Sequence, residues 1–400
     1  MNLFRTLSRQ ITSINPTDET PIVTVHAATV EDVDIAVAAA RKAFENPQWA
    51  DLEPYLVALE EDLEEVISCF EYYAGWADKI HGQVVQGPTE KLIYTVREPI
   101  GVCGQIIPLN YLLSMAAWKL GPALACGNTV VLKPAKQTPL SALYLARLIK
   151  ETGFPAGVIA FTASTATGKE VMKLAAGSLK NTTLETGGKS PLIIFDDADL
   201  GQAVNRIFVQ DTIYDAFIPQ FLQQVQEGGV VGDPFDENVT HGPQVSKAQY
   251  DRILDYIKQA KQEGATLLLG GEPEPGRKGY LIAPTVFADV TNDMTIYREE
   301  IFGPVVVVCK FSMEEEDIRR ANDTIYGLAG AVFTENISKG HQVAGKIQAG
   351  SVLVTSSIDS DIRVPFGGYK QSGIGRELGE AGLAAYSTVK SVYVNLGLKL

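Results

Sequence analysis

The chain has no surplus of positive charge: 34 Lys and Arg stand against 48 Asp and Glu, a formal charge of −14. Such a surface repels a phosphate backbone or an anionic bilayer, which excludes nucleic acid and membrane surfaces as partners. A long apolar run is also missing. The longest uncharged stretch, Pro99 to Trp118, is broken by Pro99, Gly101, Gly104, Pro108 and Asn110, which read as strand, turn and helix start and exclude a transmembrane helix. Cysteine is scarce. Cys69, Cys103, Cys126 and Cys309 stand singly in apolar contexts with no CxxC pair and no histidine nearby, as core thiols of a reducing compartment do, and no metal site is predicted. A cytoplasmic location is expected, with a mitochondrial leader as the alternative, since Arg5 and Arg9 lie among Ser and Thr ahead of the first acidic residue, Asp18.

What is present is a globular chain of 400 residues, 46% hydrophobic, without repeats or linkers and long enough for two or three domains. Val30, Val33, Val37, Ala40 and Phe44 repeat at a helical period over 29–44, with Thr29 and Asp32 spaced as a capping box. A second amphipathic helix is predicted over 63–76, followed by extended segments around a Gly-Pro turn. Strand 101–107, helix 113–125, strand 129–132 and helix 140–152 then alternate as βαβα winding, the last helix started by Thr138-Pro139 and closed by Gly153. Strand 158–162, helix 165–176 and extended runs at 182–185 and 192–195 continue one open α/β sheet. The remainder repeats strand and helix patterns (RIFVQ, QYDRILDYIKQAKQEG, APTVFADV, VVVVCKF, EEDIRRAND, GAVFT), and GGYKQSGIGRELGEAG reads as packed turns.

Several residues could carry chemistry. Glu185 in TTLETGGKSP ends a short apolar strand before a Gly-Gly turn, which would deliver a carboxylate to the carboxyl edge of the sheet, where ligands collect. There it could act as a general base, or pair with a lysine. Ser164 in FTASTATGKE precedes a helix start, a place that suits a phosphate or an ordinary N-cap. A nucleoside-triphosphate loop is excluded, because Ala163 stands where that loop needs Gly and Glu170 where it needs Ser or Thr. Asn110 in IIPLNY follows a strand and could donate its amide to an oxygen gaining negative charge, or simply make a turn. Lys133 and Lys136 in VVLKPAKQTP put two positive charges at the end of the next strand, facing either a ligand or water.

Taken in order, IIPLNYLLSMAAWKLGPALACGNTVVLKPAKQTPLSALYLA, FTASTATGKE, TLETGGKSP, YREEIFGPV and VPFGGYKQSGIGRELG resemble the NAD(P)-dependent aldehyde dehydrogenase superfamily over nearly all of the chain. The resemblance implies oxidation of a small aldehyde to a carboxylate with NAD or NADP. It further implies Asn110 as oxyanion donor, Glu185 as the base for deacylation, Lys133 near the adenosine ribose, Ser164 at the pyrophosphate, and Glu300 with Phe302 at the nicotinamide ribose and ring. An α/β fold is expected, with a cofactor-binding domain (1–80 and 100–186), a second α/β domain (187–380) and an extended arm (81–99 and 381–400). The family's arm pairs between subunits, so a dimer or tetramer is expected.

The sequence also departs from the family it resembles. The family's nucleophilic cysteine lies on a loop between the helix after DDADL and the strand RIFVQ, whereas here DDADLGQAV runs through Asn205 straight into RIFVQ. That loop and its Gly-Gln-x-Cys signature are absent. Without the thiolate no hemithioacetal forms; the analogous loss in a serine protease costs about 10⁶ in turnover. Two further segments are shortened, at WADLEPYLVALEEDL and GFPAGVIAFTAS, where 158–162 can supply a strand but no crossover, so the cofactor sheet is predicted to be one βα unit short. Leu109, Ala163, Leu353 and Thr355 replace a usual Trp, Gly, Trp and Asn. Lys136 stands where NAD-preferring members carry an acid, which predicts NADP over NAD. Abrupt losses between intact motifs fit either a degenerate relative kept for binding or assembly, or a mis-spliced gene model whose true product is an ordinary, active enzyme.

Overall fold

The computed structural model describes residues 10–26, 62–151, 165–177, 179–198, 206–356 and 359–397. The helix predicted over 29–44, the strand over 158–162, Ser164 and Ala163 lie outside these residues. The described part opens with a hairpin of β1 (Gln10–Ile14) and β2 (Pro21–His26). Its turn is local side-chain chemistry: Asn15 Oδ1 accepts the Thr17 N–H at 3.0 Å and Asp18 Oδ1 the Thr20 N–H at 2.9 Å. Helix α1 (Asp62–Ala74) buries Val66, Cys69 and Tyr73, one stripe at the helical period. Strands β3 (Val84–Val85) and β4 (Lys91–Pro99) follow.

β5 (Val102–Ile106), α2 (Leu112–Ala125) and β6 (Thr129–Lys133) form one βαβ unit, with β5 and β6 parallel. α2 is buried without interruption from Ser114 to Ala123, so it has no solvent face, and its charged Lys119 is inside the protein. Helices α3 (Leu140–Glu151) and α4 (Thr165–Ala176) come next, then β7 (Leu184–Glu185), β8 (Pro191–Ile194), β9 (Arg206–Gln210) and α5 (Asp211–Gly228). α6 (Lys247–Glu263) starts on Ser246, whose hydroxyl accepts the Gln249 N–H, and stops at Gly264, left-handed at φ 97°. The chain continues through β10 (Thr266–Leu269), β11 (Thr285–Ala288), α7 (Thr295–Arg298), β12 (Val305–Phe311), α8 (Glu314–Asn322), β13 (Ala329–Phe333), α9 (Ile337–Ala344) and β14 (Ser351–Val354). β15 (Gly373–Ile374), α10 (Gly379–Ala384) and β16 (Ser387–Asn395) complete the described chain.

The main sheet has seven strands in the order β10-β11-β12-β9-β8-β13-β14, all parallel except the antiparallel edge strand β10. Alternate residues along its strands enter opposite cores: Ile193, Phe208 and Phe287 on one face, Leu192, Ile194, Ile207 and Val209 on the other. A third core joins α1, α2, β5 and β6 to Leu378 and Leu383. β16 pairs with β4 along nine residues, with β3 on the far side of β4, so the two arm segments form one three-stranded sheet. The fold is therefore α/β. One expectation is corrected: among the described residues no single open sheet runs through the first half. PLII joins the seven-stranded sheet, because four consecutive buried apolar residues suit a central strand covered on both faces, and β7 pairs only with β15.

Candidate active site

Glu185 does not stand at the carboxyl edge of a parallel sheet. TLETGG is too short and glycine-rich to continue a strand, and the two residues of β7 are held by β15, Glu185 opposite Gly373. A Cβ on Gly373 would lie 2.3 Å from the Leu184 carbonyl oxygen, so this approach needs glycine. The loop after Glu185 is then clamped. The Ser372 hydroxyl donates to the Gly187 carbonyl at 2.6 Å, Thr186 N–H donates to the Ser372 carbonyl at 3.0 Å, and Gly188 N–H donates to Glu300 Oε1 at 3.0 Å. Glu185 and Glu300 are thus tied to one short segment.

Below Glu185 lies an ion pair that the sequence reading missed. Lys119 Nζ sits 2.7 and 2.8 Å from the two carboxylate oxygens of Glu377, and both side chains are buried. Its signal was a lone lysine in an otherwise apolar helix, LLSMAAWKLGPALA, since a charge is tolerated there only with a partner. Burial, and then the Glu377 and Glu300 carboxylates, push Glu185 up to about 7, against the opposing pull of Lys119. A carboxyl poised there changes proton state at neutral pH, as a general base for water must. Lys189, four residues on, was also not singled out. It is 3% exposed, and burial lowers its ammonium to about 7, with Arg206 adding to the fall and Glu300 opposing it.

The other candidates occupy two further places. Asn110 is exposed in the turn between β5 and α2, ahead of the left-handed Tyr111, and makes no hydrogen bond to the Glu185 loop among the described residues. Lys133 ends β6 and Lys136 follows in the same loop; burial and the neighbouring Lys136 charge lower the Lys133 ammonium, whose Nζ donates to the Pro134 carbonyl at 2.9 Å. Phe302 is left-handed at φ 59° and 46% exposed, its carbonyl held by Gln249 Nε2 at 2.8 Å. Lys133 and Lys136 thus put two positive charges in one loop, and Phe302 puts an exposed ring two residues after Glu300. Among the described residues no group of three or more His, Cys, Asp or Glu could hold a metal, and no helix is long and apolar enough to cross a membrane.

Both the sequence and the fold are similar to those of known proteins. The chain matches the aldehyde dehydrogenase family over residues 4–58, 54–160 and 158–392. It is 46% identical to an aldehyde dehydrogenase of Emericella nidulans, covering 96% of this chain and 91% of that protein. It is 44% identical to the human mitochondrial aldehyde dehydrogenase, covering 97% and 89%. The NAD+ complex of aldehyde dehydrogenase from Bacillus cereus superposes with a TM-score of 0.92 at 43% identity, covering 97% of this chain and 94% of that one. The fold is that of α/β oxidoreductases that bind NAD(P). The chain belongs to the aldehyde dehydrogenase family.

Proposed function

We propose that this chain keeps the family's groups for binding NAD(P) and for deprotonating water, but lacks the thiol that begins the oxidation of a small aldehyde to its acid. The observation that carries this reading is the fate of sulfur. All four cysteines of the sequence are buried, and burial pushes Cys69 and Cys103 up to about 12 and Cys126 and Cys309 up to about 11. Such thiols are neutral and out of reach of substrate at neutral pH, the reverse of a nucleophile.

Three further facts support a shortened chain. β8 and β9 are parallel neighbours joined by residues 195–205 alone, at the short end of the lengths that parallel crossovers use, which supports a loop lost at this point. The family match breaks at 54–58 and at 158–160, inside the two other shortened segments. The alignment to the Emericella nidulans relative runs over 457 positions, more than this chain's 400 residues.

A bound nicotinamide would supply the hydride acceptor. Lys133 and Lys136 would hold the adenosine end, Lys136 favouring the 2′-phosphate of NADP, while Glu300 and Phe302 hold the nicotinamide ribose and ring. Ser164 would meet the pyrophosphate and Asn110 a developing oxyanion. The β4–β16 arm would pair copies of the chain into dimers or tetramers, and four reduced thiols suit the cytoplasm. The test uses the purified 400-residue protein. NADPH binding seen by fluorescence is expected, with no reduced cofactor formed from short or long aldehydes and no acyl adduct on any thiol by mass spectrometry. Brisk turnover or an acylated cysteine would refute the reading. The motifs kept nearby (TLETGGKSP, EEIFGPV, VPFGGYKQSGIGRELG) fit recent loss or a mis-spliced gene model, and sequencing the transcript across Val204–Asn205 shows whether the segment is missing from the message.

A further inference from the structure

The second turn of α4 touches the loop that carries Glu185. Gly168 is buried, and a Cβ there would lie 2.9 Å from Thr186 Cγ2, well inside the distance at which carbons pack, so the helix backbone rests on the residue that follows Glu185. Lys169, next along the helix, reaches across at the surface: its Nζ donates to Gln371 Oε1 at 2.8 Å. Gln371 is a junction. Its backbone carbonyl accepts the Thr186 hydroxyl at 2.6 Å, and its N–H donates to the Ile325 carbonyl at 2.9 Å. The neighbouring Ser372 holds Thr186 N–H and the Gly187 carbonyl, as described above. Helix, base loop and the segment around Gln371 thus close on one another, with Lys169 as a polar link from the helix. The charges that act on Glu185 itself are those of Glu377, Lys119 and Glu300, and burial outweighs all three. How deeply Glu185 is buried depends on where its loop is held.

We propose that α4 braces the general base, with Lys169 as a positioning residue: through Gln371 and Thr186 it holds the Glu185 loop closed. That Glu185 deprotonates water rests on the reading given above; the brace itself does not. Without it the loop lifts and water reaches the carboxyl. The test compares the purified 400-residue protein with Lys169→Met, Lys169→Arg and Gly168→Ala. In carbon-13 NMR of glutamate-labelled protein, with Glu185→Gln to assign the signal, Lys169→Met is expected to lower the Glu185 midpoint by about half a unit or more, since hydration favours the charged form. The direction is diagnostic, because losing a cation that acted only through its charge would raise a carboxyl. Lys169→Arg keeps a donor and should return the midpoint to within about 0.2 unit of wild type.

Hydrogen exchange supplies a second readout. The Thr186 amide, which donates to the Ser372 carbonyl, should exchange about tenfold faster in Lys169→Met, while the Ile193 amide of the seven-stranded sheet keeps its rate. Gly168→Ala on its own favours a helix. Here the added methyl meets Thr186, so the same fall in midpoint and the same faster exchange are expected. An unmoved or raised Glu185 midpoint in Lys169→Met overturns the proposal, and so does faster exchange at Thr186 and Ile193 alike, which would mark a lysine that only stabilises the fold. Both readouts are taken without substrate or cofactor. Brisk aldehyde turnover by the wild type would therefore overturn the functional reading and leave the brace to be decided by Glu185 and Thr186 alone.

Discussion

The two parallel sheets of this chain are built from unequal material. In the seven-stranded sheet β8 and β11 bury every residue and β9 all but its last, because helices cover both faces. The described part of the β5–β6 sheet has two strands, and the helices that follow it leave Leu140, Leu143, Tyr144, Met172 and Leu174 exposed. The contrast is one of packing: the described helices beside the two-stranded sheet present apolar side chains at the surface, whereas the seven-stranded sheet is covered on both faces.

The largest effects should therefore fall in the complete half and at the ion pair. Phe208 is fully buried, its ring 5.3 Å from the Arg206 guanidinium and 6.3 Å from Tyr297, so Phe208→Ala is expected to cost about 3–5 kcal/mol in denaturant unfolding. Lys119→Met strands Glu377 as a buried, unbalanced carboxylate and is expected to cost about as much, roughly 3–5 kcal/mol. A cost below about 1 kcal/mol for either would show that the two halves are closer in stability than their burial implies.

The sequence made the architecture legible where periodicity and caps were strong. Leu140–Glu151, Thr165–Ala176 and the strands RIFVQ and VVVVCKF stand within a residue or two of their predicted places. It failed where local pattern competes with tertiary pairing. The hairpin at 10–26 was missed because its turn is made by Asn15 and Asp18 side chains rather than by glycine. α5 was missed because Pro219 interrupts its pattern. Glu185, Glu300 and Phe302 were singled out through long motifs, whereas Lys119 and Glu377 were overlooked because each is balanced by the other from far away in sequence. Pairing between distant charges leaves no periodic trace.

Intermediate effects come from carboxyls whose charge state the fold controls. Asp317 is fully buried on α8, both oxygens lack a hydrogen-bond partner, and burial pushes it up to about 8 against the pull of Arg320 and Arg206. A carboxyl raised above its unfolded value is most favourable to the fold in acid, and that contribution is lost as pH climbs from near 4 toward 8. Asp317→Asn should flatten the decline of Tm over this range and stabilise the protein by about 1 kcal/mol at pH 8, with little effect at pH 5. An unchanged Tm profile would place the titration elsewhere. At the site, Glu377→Gln removes the like charge that helps raise Glu185 and leaves the Lys119 ammonium unbalanced, so the Glu185 midpoint should fall from about 7 by roughly one unit, read by carbon-13 NMR of glutamate-labelled protein, at a stability cost like that of Lys119→Met.

The smallest expected effect is the most informative about the incomplete sheet. Leu143 and Tyr144 on α3 are 50% and 59% exposed, so Leu143→Ser and Tyr144→Ser should each change stability by less than about 0.5 kcal/mol if that face meets water. A loss of more than about 1 kcal/mol that grows with protein concentration would mean that the face is covered in solution, since burial against another chain adds its apolar area to the folded state and ties stability to association. Under that outcome the apolar face of α3 would be a contact surface of the protein in solution.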